Sequence, residues 1–320
     1  MPEAPRVVSL LPSATEILVA LGLRERLVGR SHECDFPHSV TSVPVCTSTK
    51  LTKGLSSLEI ETRVQEIVRQ GLSVYEVDSG LLRRLDPDVI LTQSQCAVCA
   101  VTPRDLDEAL AAWVGREPLM LSLAPDSLGD VWGDFRRVGA AVDRAAAAET
   151  VLERFQDRLD RLRRLSAKSV HRPSIAAIEW IDPPMAAGNW VPELIEIAGG
   201  QPLFATPGQH SPWLERDALF EAEPDIIVLM PCGYKIEQSL AEMHALIAQP
   251  RWHGLKAVQS GRVFVADGHH YFNRPGPRLV ESAEILGEIV QSCATDNKGG
   301  AGWSRLDSKG RALFQQAPGS

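Results

Sequence analysis

The chain predicts a mixed α/β fold: two parallel-sheet lobes, Rossmann-like in plan, joined by one long rigid α-helix. Three observations carry this. Short β-branched runs alternate with helical patterns in each half of the chain. Between the halves, residues 127–165 contain no proline and repeat apolar side chains at steps of three and four. An acidic-Pro-Asp turn before a buried strand recurs, at Asp86-Pro87-Asp88 and at Glu223-Pro224-Asp225. With 44% hydrophobic and 23% charged residues in 320, there is enough apolar material for a sizeable core in two domains.

The first half begins with a strand over 7–11. Ser13-Ala14-Thr15-Glu16 has the capping-box pattern and opens a helix to Leu21, stopped by Gly22. A strand over 27–29, a helix over 58–70 closed by Gly71, and a strand over 74–77 follow. Ser79 caps a helix to Leu85; the strand 89–91, a helix over 103–113 and the strand 119–123 complete the lobe. The linking helix carries its stripe on Val131, Phe135, Val138, Val142, Ala145, Leu152, Phe155, Leu159 and Leu162. At 1.5 Å per residue it would be a rod of about 58 Å. The alanines at 145–148 are the best helix formers, which favours one rod over two helices broken near them. After Arg172-Pro173 the alternation resumes, with strands over 175–180, 226–229 and 263–266 and helices over 191–198, 236–247 and 276–291. From Thr295 the composition turns Gly-rich and polar. The expected divisions are an N-terminal lobe at 1–126, the linking helix at 127–166, a C-terminal lobe at 167–294 and a disordered tail at 295–320.

Several function classes lack support. The net charge of −8 and the absence of a Lys/Arg stripe interleaved with aromatics argue against nucleic acid or an anionic membrane as partner. No apolar run approaches the roughly 18 residues of a membrane span. The N-terminus has no basic region, long apolar stretch and small-residue cleavage site in succession, so the expectation is a cytoplasmic protein, or a periplasmic one if the start site is misassigned. No Gly-x-Ser-x-Gly elbow, Walker loop or Gly-x-Gly-x-x-Gly fingerprint is present, and neither an enzyme nor a catalytic cofactor is expected. Six cysteines are too few for a disulfide scaffold in a chain of this length.

In open parallel sheets ligands sit beyond the carboxyl ends of strands. The loops there hold His32, Gln93, Trp180, Asn189, Trp190, Trp213, Tyr234, His269, Tyr271, Phe272, Asn273 and Arg274, the candidate ligand-binding set. Aromatics make up 6% of residues, so their concentration near strand ends of the second half points to a large, flat, partly apolar ligand. Trp190 and Tyr271 are the preferred anchors, with Asn189, Asn273 and Gln93 as amide partners. Arg274, Lys235 and nearby Arg278 are the only cations in these loops, which favours a neutral ligand. His32 and Cys34 with Cys96 and Cys99 form an imperfect zinc-ligand pattern; thiols packed in a binding-site wall are the expectation, and no metal site is assigned.

The stretch Val7-Val8-Ser9-Leu10-Leu11-Pro12-Ser13-Ala14-Thr15-Glu16, the Leu85-to-Ile90 turn and strand, the rod and residues 175–200 resemble the helical-backbone (class III) substrate-binding proteins of ABC importers for cobalamin and iron–siderophore complexes. The resemblance covers about residues 6–291, and Ser31-His32-Glu33-Cys34-Asp35 with Cys96-Ala97-Val98-Cys99-Ala100-Val101 is similar to the cobalamin-binding branch. It implies a rigid two-lobe clamp holding cobalamin or a related corrinoid between its lobes, in a transport role with an ABC importer permease as partner. Residues 79–84 lack the surface carboxylate that relatives use for docking on a permease, and 215–223 align with the second one only loosely. Two alternatives stand beside this reading: a cytoplasmic enzyme or metal-handling protein that reuses the fold around His32, Cys34, Cys96 and Cys99, and an iron–siderophore binding protein.

Overall fold

The computed structural model describes residues 4–313 apart from 53, 70–72, 95–100, 102–105, 107–116, 216, 296 and 308. The chain divides into two compact units: one comprises Met1–Pro125 and Gly129–Arg154, the other Asp126–Leu128 and Phe155–Ser320.

Unit 1 is built on β1 (Val7–Ser9), β2 (Leu27–Arg30), β5 (Val89–Gln93) and β6 (Leu119–Leu123), in the order β2-β1-β5-β6 and parallel throughout. Its described helices are α1 (Pro12–Ala20), α2 (Ser57–Arg69), α3 (Ser79–Leu85), α4 (Leu128–Ala141) and the first part of α5 (Ala145–Ser166). Val8, Leu10, Ile90 and Leu82 are fully buried in one cluster. Each such side chain contributes roughly 1.5–3 kcal/mol by leaving water.

Two local expectations are corrected here. The strand expected at 74–77 does not join the parallel sheet. As β4 (Tyr75–Val77) it pairs antiparallel with β3 (Thr47–Thr49), a strand too short and polar to stand out in sequence. The capping box at Ser13 is also absent: α1 starts at Pro12, whose fixed φ suits a first helical turn, and Thr15 Oγ1 donates to Cys34 Sγ instead. The helix expected over 103–113 lies outside the described residues, Leu106 excepted, which is fully buried.

The long rod is two helices. α4 ends at Ala141, and α5 begins at Ala145. Between them Arg144 N donates to Gly139 O (2.7 Å) and Asp143 N to Ala140 O (3.4 Å), with Asp143 at φ 56°. These are the paired bonds of a Schellman stop. Because aspartate rather than glycine takes the left-handed position, the stop carries no sequence punctuation. The alanines read as helix continuation have a second use, since a Cβ placed on Gly139 would lie 2.8 Å from the Ala148 Cβ. Small residues on both helices let the turn close. The division between the units falls within α5, after Arg154.

Unit 2 orders its strands β12-β13-β11-β10-β7-β8, with β9 also on β7: β7 (Ser174–Trp180), β8 (Met185–Ala186), β9 (Gln201–Pro202), β10 (Ile226–Leu229), β11 (Val263–Ala266), β12 (Gly299–Gly300) and β13 (Trp303–Arg305). The core β11-β10-β7 is parallel, and β13 runs antiparallel on β11. Its helices are α6 (Val191–Ile197), α7 (Ala218–Ala222), α8 (Ile236–Glu242), α9 (His244–Ile247), α10 (Lys256–Gln259) and α11 (Leu279–Ser292). Arg158 of α5 bridges Glu281 (2.8 Å) and Glu284 (2.6 Å) of α11. The segment from Thr295, expected to be a disordered tail, holds β12 and β13, and Trp303 is wholly buried. Its Gly-rich, polar composition concealed a hairpin that needs one aromatic anchor rather than a hydrophobic run. Among the described residues no helix is long and apolar enough to cross a membrane.

The repeated acidic-Pro-Asp turn does the same work in both units. Asp86 and Glu223 end their helices in left-handed conformation, at φ 42° and 46°. The aspartate after the proline then accepts from the neighbouring strand's backbone: Asp88 Oδ2 from Arg6 N (2.9 Å), and Asp225 Oδ2 from Ser174 N (2.9 Å). Asp225 also takes Ser174 Oγ (3.0 Å) and the Lys256 ammonium. Burial pushes the Asp225 carboxyl up, but these donors outweigh it and hold it at about 2, against an ordinary 3.8. A depressed carboxylate stabilises the fold above its ordinary value and loses that contribution as pH falls through 3.8 to about 2. Lys256 is 59% exposed, so screening reduces the contribution. We expect about 1–2 kcal/mol. Asp225→Asn is therefore expected to flatten the acid limb of stability across that interval, measured by urea unfolding at stepped pH. Gly139→Ala tests the turn. An exposed helical glycine gains about 1 kcal/mol on this change, whereas here the contact with Ala148 is expected to reverse the sign to a loss of about 1–2 kcal/mol in the same assay.

Candidate functional site

In unit 2 the loops after β7, β10 and β11 are tied to one another at the carboxyl ends of the strands. His269 N donates to Tyr234 O (3.0 Å), Gly233 N to Gly268 O (3.3 Å) and Cys232 N to Glu179 O (2.9 Å). Asn273 Nδ2 donates to both Met230 O and Gly268 O, each at 3.1 Å. Asn273, expected as an amide partner for ligand, is thus a staple between the β10 and β11 loops. These ties bring Trp180, Tyr234, His269, His270, Tyr271 and Phe272 into one set of loops.

Phe272 is the strained point. Its φ is 61°, its ring is fully buried, and Asn273 N closes onto Tyr271 O at 2.6 Å. That is a γ-turn of the rarer hand, and such backbone costs roughly 1–3 kcal/mol unless its surroundings over-determine it. Here they do. Phe272 N donates to Ser282 Oγ of α11 (3.0 Å), and the Trp190 indole Nε1 donates to Phe272 O (2.6 Å). Trp190, at the start of α6, is 4% exposed. In this geometry its indole supports the loop at Tyr271–Asn273 from within the unit.

Asp267, which the sequence reading passed over, organises the histidines. Its Oδ1 accepts from His269 N (3.0 Å) and His270 N (2.9 Å), and its Oδ2 meets His270 Nδ1 (2.8 Å). Burial pushes the Asp267 carboxyl up, but the His270 bonds and the histidine charges outweigh it and hold it below the usual carboxylate range. A carboxylate on Nδ1 fixes the imidazole tautomer with its proton there and leaves the lone pair on Nε2, the arrangement that supports metal-binding histidines. His269 Nε2 instead lies 3.1 Å from Arg274 Nη2, and Arg274 is itself buried. The spacing Asp-x-x-His directly after a buried strand was the available signal. The Arg278 guanidinium lies over the Tyr271 ring at 5.6 Å, and Lys235 is exposed.

Three buried polar atoms in these loops have no hydrogen-bond partner among the described residues: Trp180 Nε1, Tyr234 Oη and Asn189 Oδ1. The Trp180 and Tyr234 rings lie 5.6 Å apart at 54°. The Tyr234 phenol is pushed up to about 12, by burial first and then by the Glu242 charge. Leaving a buried donor or acceptor unmade costs roughly 1–3 kcal/mol, so such atoms call for a partner, either water or a bound molecule. Trp213 stands apart, 49% exposed and bridged to Met185.

In unit 1 His32 follows β2; its Nδ1 meets Thr47 Oγ1 (2.8 Å) and its ring lies 5.7 Å from Tyr75. Gln93 closes β5 and is 6% exposed. Cys34 is buried and takes its hydrogen bond from Thr15 (3.1 Å), the packing of a core thiol. Cys96 and Cys99 lie outside the described residues.

Trp190→Phe keeps most of the ring and removes the indole donor, leaving the Phe272 carbonyl buried and unpaired. The expected result is a loss of roughly 1–3 kcal/mol in unfolding free energy. Faster amide exchange confined to residues 268–274 should accompany it, read by mass spectrometry.

The comparisons with known proteins agree with this architecture. A curated vitamin B12-binding protein of Yersinia pestis (strain Pestoides F) is 23% identical over 295 residues, 91% of this chain and 88% of that one. The periplasmic heme-binding protein RhuT from Roseiflexus sp. RS-1 superposes with a TM-score of 0.66 at 21% identity, covering 92% of this chain and 100% of that one. The periplasmic vitamin B12 binding protein BtuF of Vibrio cholerae superposes at 0.64 with 19% identity, covering 91% and 98%. At these identities the structural likeness establishes the fold. The periplasmic binding protein family matches residues 7–269, most of both units, and the chain belongs to that family of small-ligand binding proteins.

Proposed function

We propose that the chain binds cobalamin or a related corrinoid and hands it to an ABC importer permease, without catalysing its conversion. The observation that carries the reading is the tied loop set of unit 2, which gathers the Trp180–Tyr234 ring pair, Tyr271 and the Asp267-held His270 at the carboxyl ends of the strands. Flat aromatic faces suit a macrocycle and lose little entropy on binding. Trp180 Nε1 and Tyr234 Oη are buried donors that the amide arms of a corrinoid would satisfy. The paucity of cations in these loops favours a neutral ligand over an anionic siderophore. The vitamin B12-binding relatives support the same choice.

A second reading, heme, has one observation in its favour. A histidine whose Nδ1 sits on a carboxylate is suited to an iron centre, and the RhuT likeness is compatible with it.

Calorimetric and absorbance titrations with cyanocobalamin and with hemin decide between them. Cyanocobalamin is expected to bind at micromolar concentration or tighter, and Trp180→Ala and Tyr271→Ala each to weaken it by about 10- to 100-fold. Binding of hemin alone, lost in His270→Ala, would transfer the assignment to heme. Binding of neither at micromolar protein would remove both.

A further inference from the structure

We propose that the C-terminal hairpin, residues 299–305, is a positioning element for the ligand loop, acting through Gly302 on Asp267 and on the Tyr271 ring. The proposal rests on the ligand reading above for its purpose, and on geometry alone for its existence. The family match ends at residue 269, so the hairpin lies beyond it.

The hairpin is anchored away from the loop. Trp303 is wholly buried, its ring meets Phe264 edge-on at 5.7 Å, and its Nε1 donates to Glu288 Oε2 at 2.7 Å. Arg305 lies over the other partner of that pair, with its guanidinium 5.5 Å from the Phe264 ring. Pairing of β13 with β11 extends to Trp303 opposite Ala266, which brings the preceding residue, Gly302, against the start of the loop. There Asp267 N donates to Gly302 O at 2.8 Å. Asp267 in turn holds both histidine amides and the His270 ring, so displacing its backbone displaces all three contacts.

Gly302 also sets the tyrosine. Its φ is 80°, and a Cβ there would lie 2.7 Å from Tyr271 Cε2, 3.1 Å from Tyr271 Cδ2 and 3.1 Å from Ile285 Cδ1. The ring therefore occupies space that only glycine leaves open, with Arg278 over it at 5.6 Å. Covering the edge of β11 would need no such contact with the loop beyond the strand's end. The bond to Asp267 and the fit to Tyr271 are what make the hairpin a determinant of where the ligand-facing groups stand.

The test uses the full-length protein and Gly302→Ala. In ligand-free, 15N-histidine-labelled protein, wild type should show His270 protonated on Nδ1, and Gly302→Ala should shift it towards the Nε2-protonated tautomer. Affinity for whichever of cyanocobalamin or hemin binds wild type should fall roughly tenfold or more. In a Tyr271→Ala background the same substitution should cost clearly less affinity than in wild type, because the displaced ring is gone and only the route through Asp267 remains. An unchanged tautomer, or an equal loss in both backgrounds, overturns the proposal and leaves the hairpin as a cover for the sheet edge. Should Gly302→Ala fail to fold, amide exchange of wild type decides. Protection of the Asp267 amide by roughly 100-fold or more, matching that of Trp303, supports docking, and free exchange at Asp267 overturns it. If wild type binds neither probe, the ligand reading fails while the tautomer and exchange data still judge the positioning.

Discussion

The hydrogen bond from the Trp190 indole to the Phe272 carbonyl holds together the loops of the candidate site. A phenylalanine at φ 61° is unfavourable backbone, and on an unsupported loop it would relax. Clamped by Trp190 on its carbonyl and Ser282 on its amide, it forces the chain to reverse within three residues. That reversal puts Tyr271 before the turn and Asn273 after it, on opposite duties: one ring bracketed by Arg278 and Gly302, one amide stapling the β10 and β11 loops. Trp190 thus contributes to the site by positioning. An anchor that faces ligand and a strut that holds the anchor look alike in sequence, because both are large aromatics near strand ends.

The strands were legible because they are short, buried and rich in β-branched residues. Ile226 to Leu229 is fully buried along its length and could hardly be anything else. The acidic-Pro-Asp turns were legible too, and their chemistry explains the recurrence. In each unit a helix must stop and a neighbouring strand's first amide must find an acceptor, and one tripeptide meets both needs. What escaped the sequence was punctuation without glycine or proline. Asp143 ends α4 in the left-handed region, where aspartate is uncommon but tolerated, and the apolar stripe runs past it unbroken. The stripe persists because both helices must bury a face, whether or not they are one.

The candidate site was legible as a set of loops and less so as a set of roles. The aromatic signal near strand ends singled out Trp180, Tyr234 and Tyr271 as candidates, which the structure gathers into one set of tied loops. It did not expose Asp267, an ordinary residue type whose importance lies in receiving three bonds from two adjacent histidines. Nor did it expose Gly302, which lies in a stretch whose composition suggests no structure at all.

The division of labour in unit 2 follows from a general constraint on binding loops. A loop that must present polar and aromatic groups cannot bury them, so it lacks the core contacts that would fix its shape. Its order has to come from elements behind it that are themselves buried. Trp190 and Ser282 supply this from two helices, Asn273 from the loop's own staple, and Trp303 through the hairpin on the sheet edge. Each support makes its hydrogen bond inside the protein, Trp190, Ser282 and Trp303 as buried groups and Asn273 as a half-buried one, whereas Trp180 Nε1 and Tyr234 Oη are buried donors with no partner among the described residues. The contrast separates the two kinds of residue on physical grounds. Groups satisfied internally hold the loop, and on the proposed reading the unsatisfied Trp180 and Tyr234 donors are ones that a bound ligand would complete.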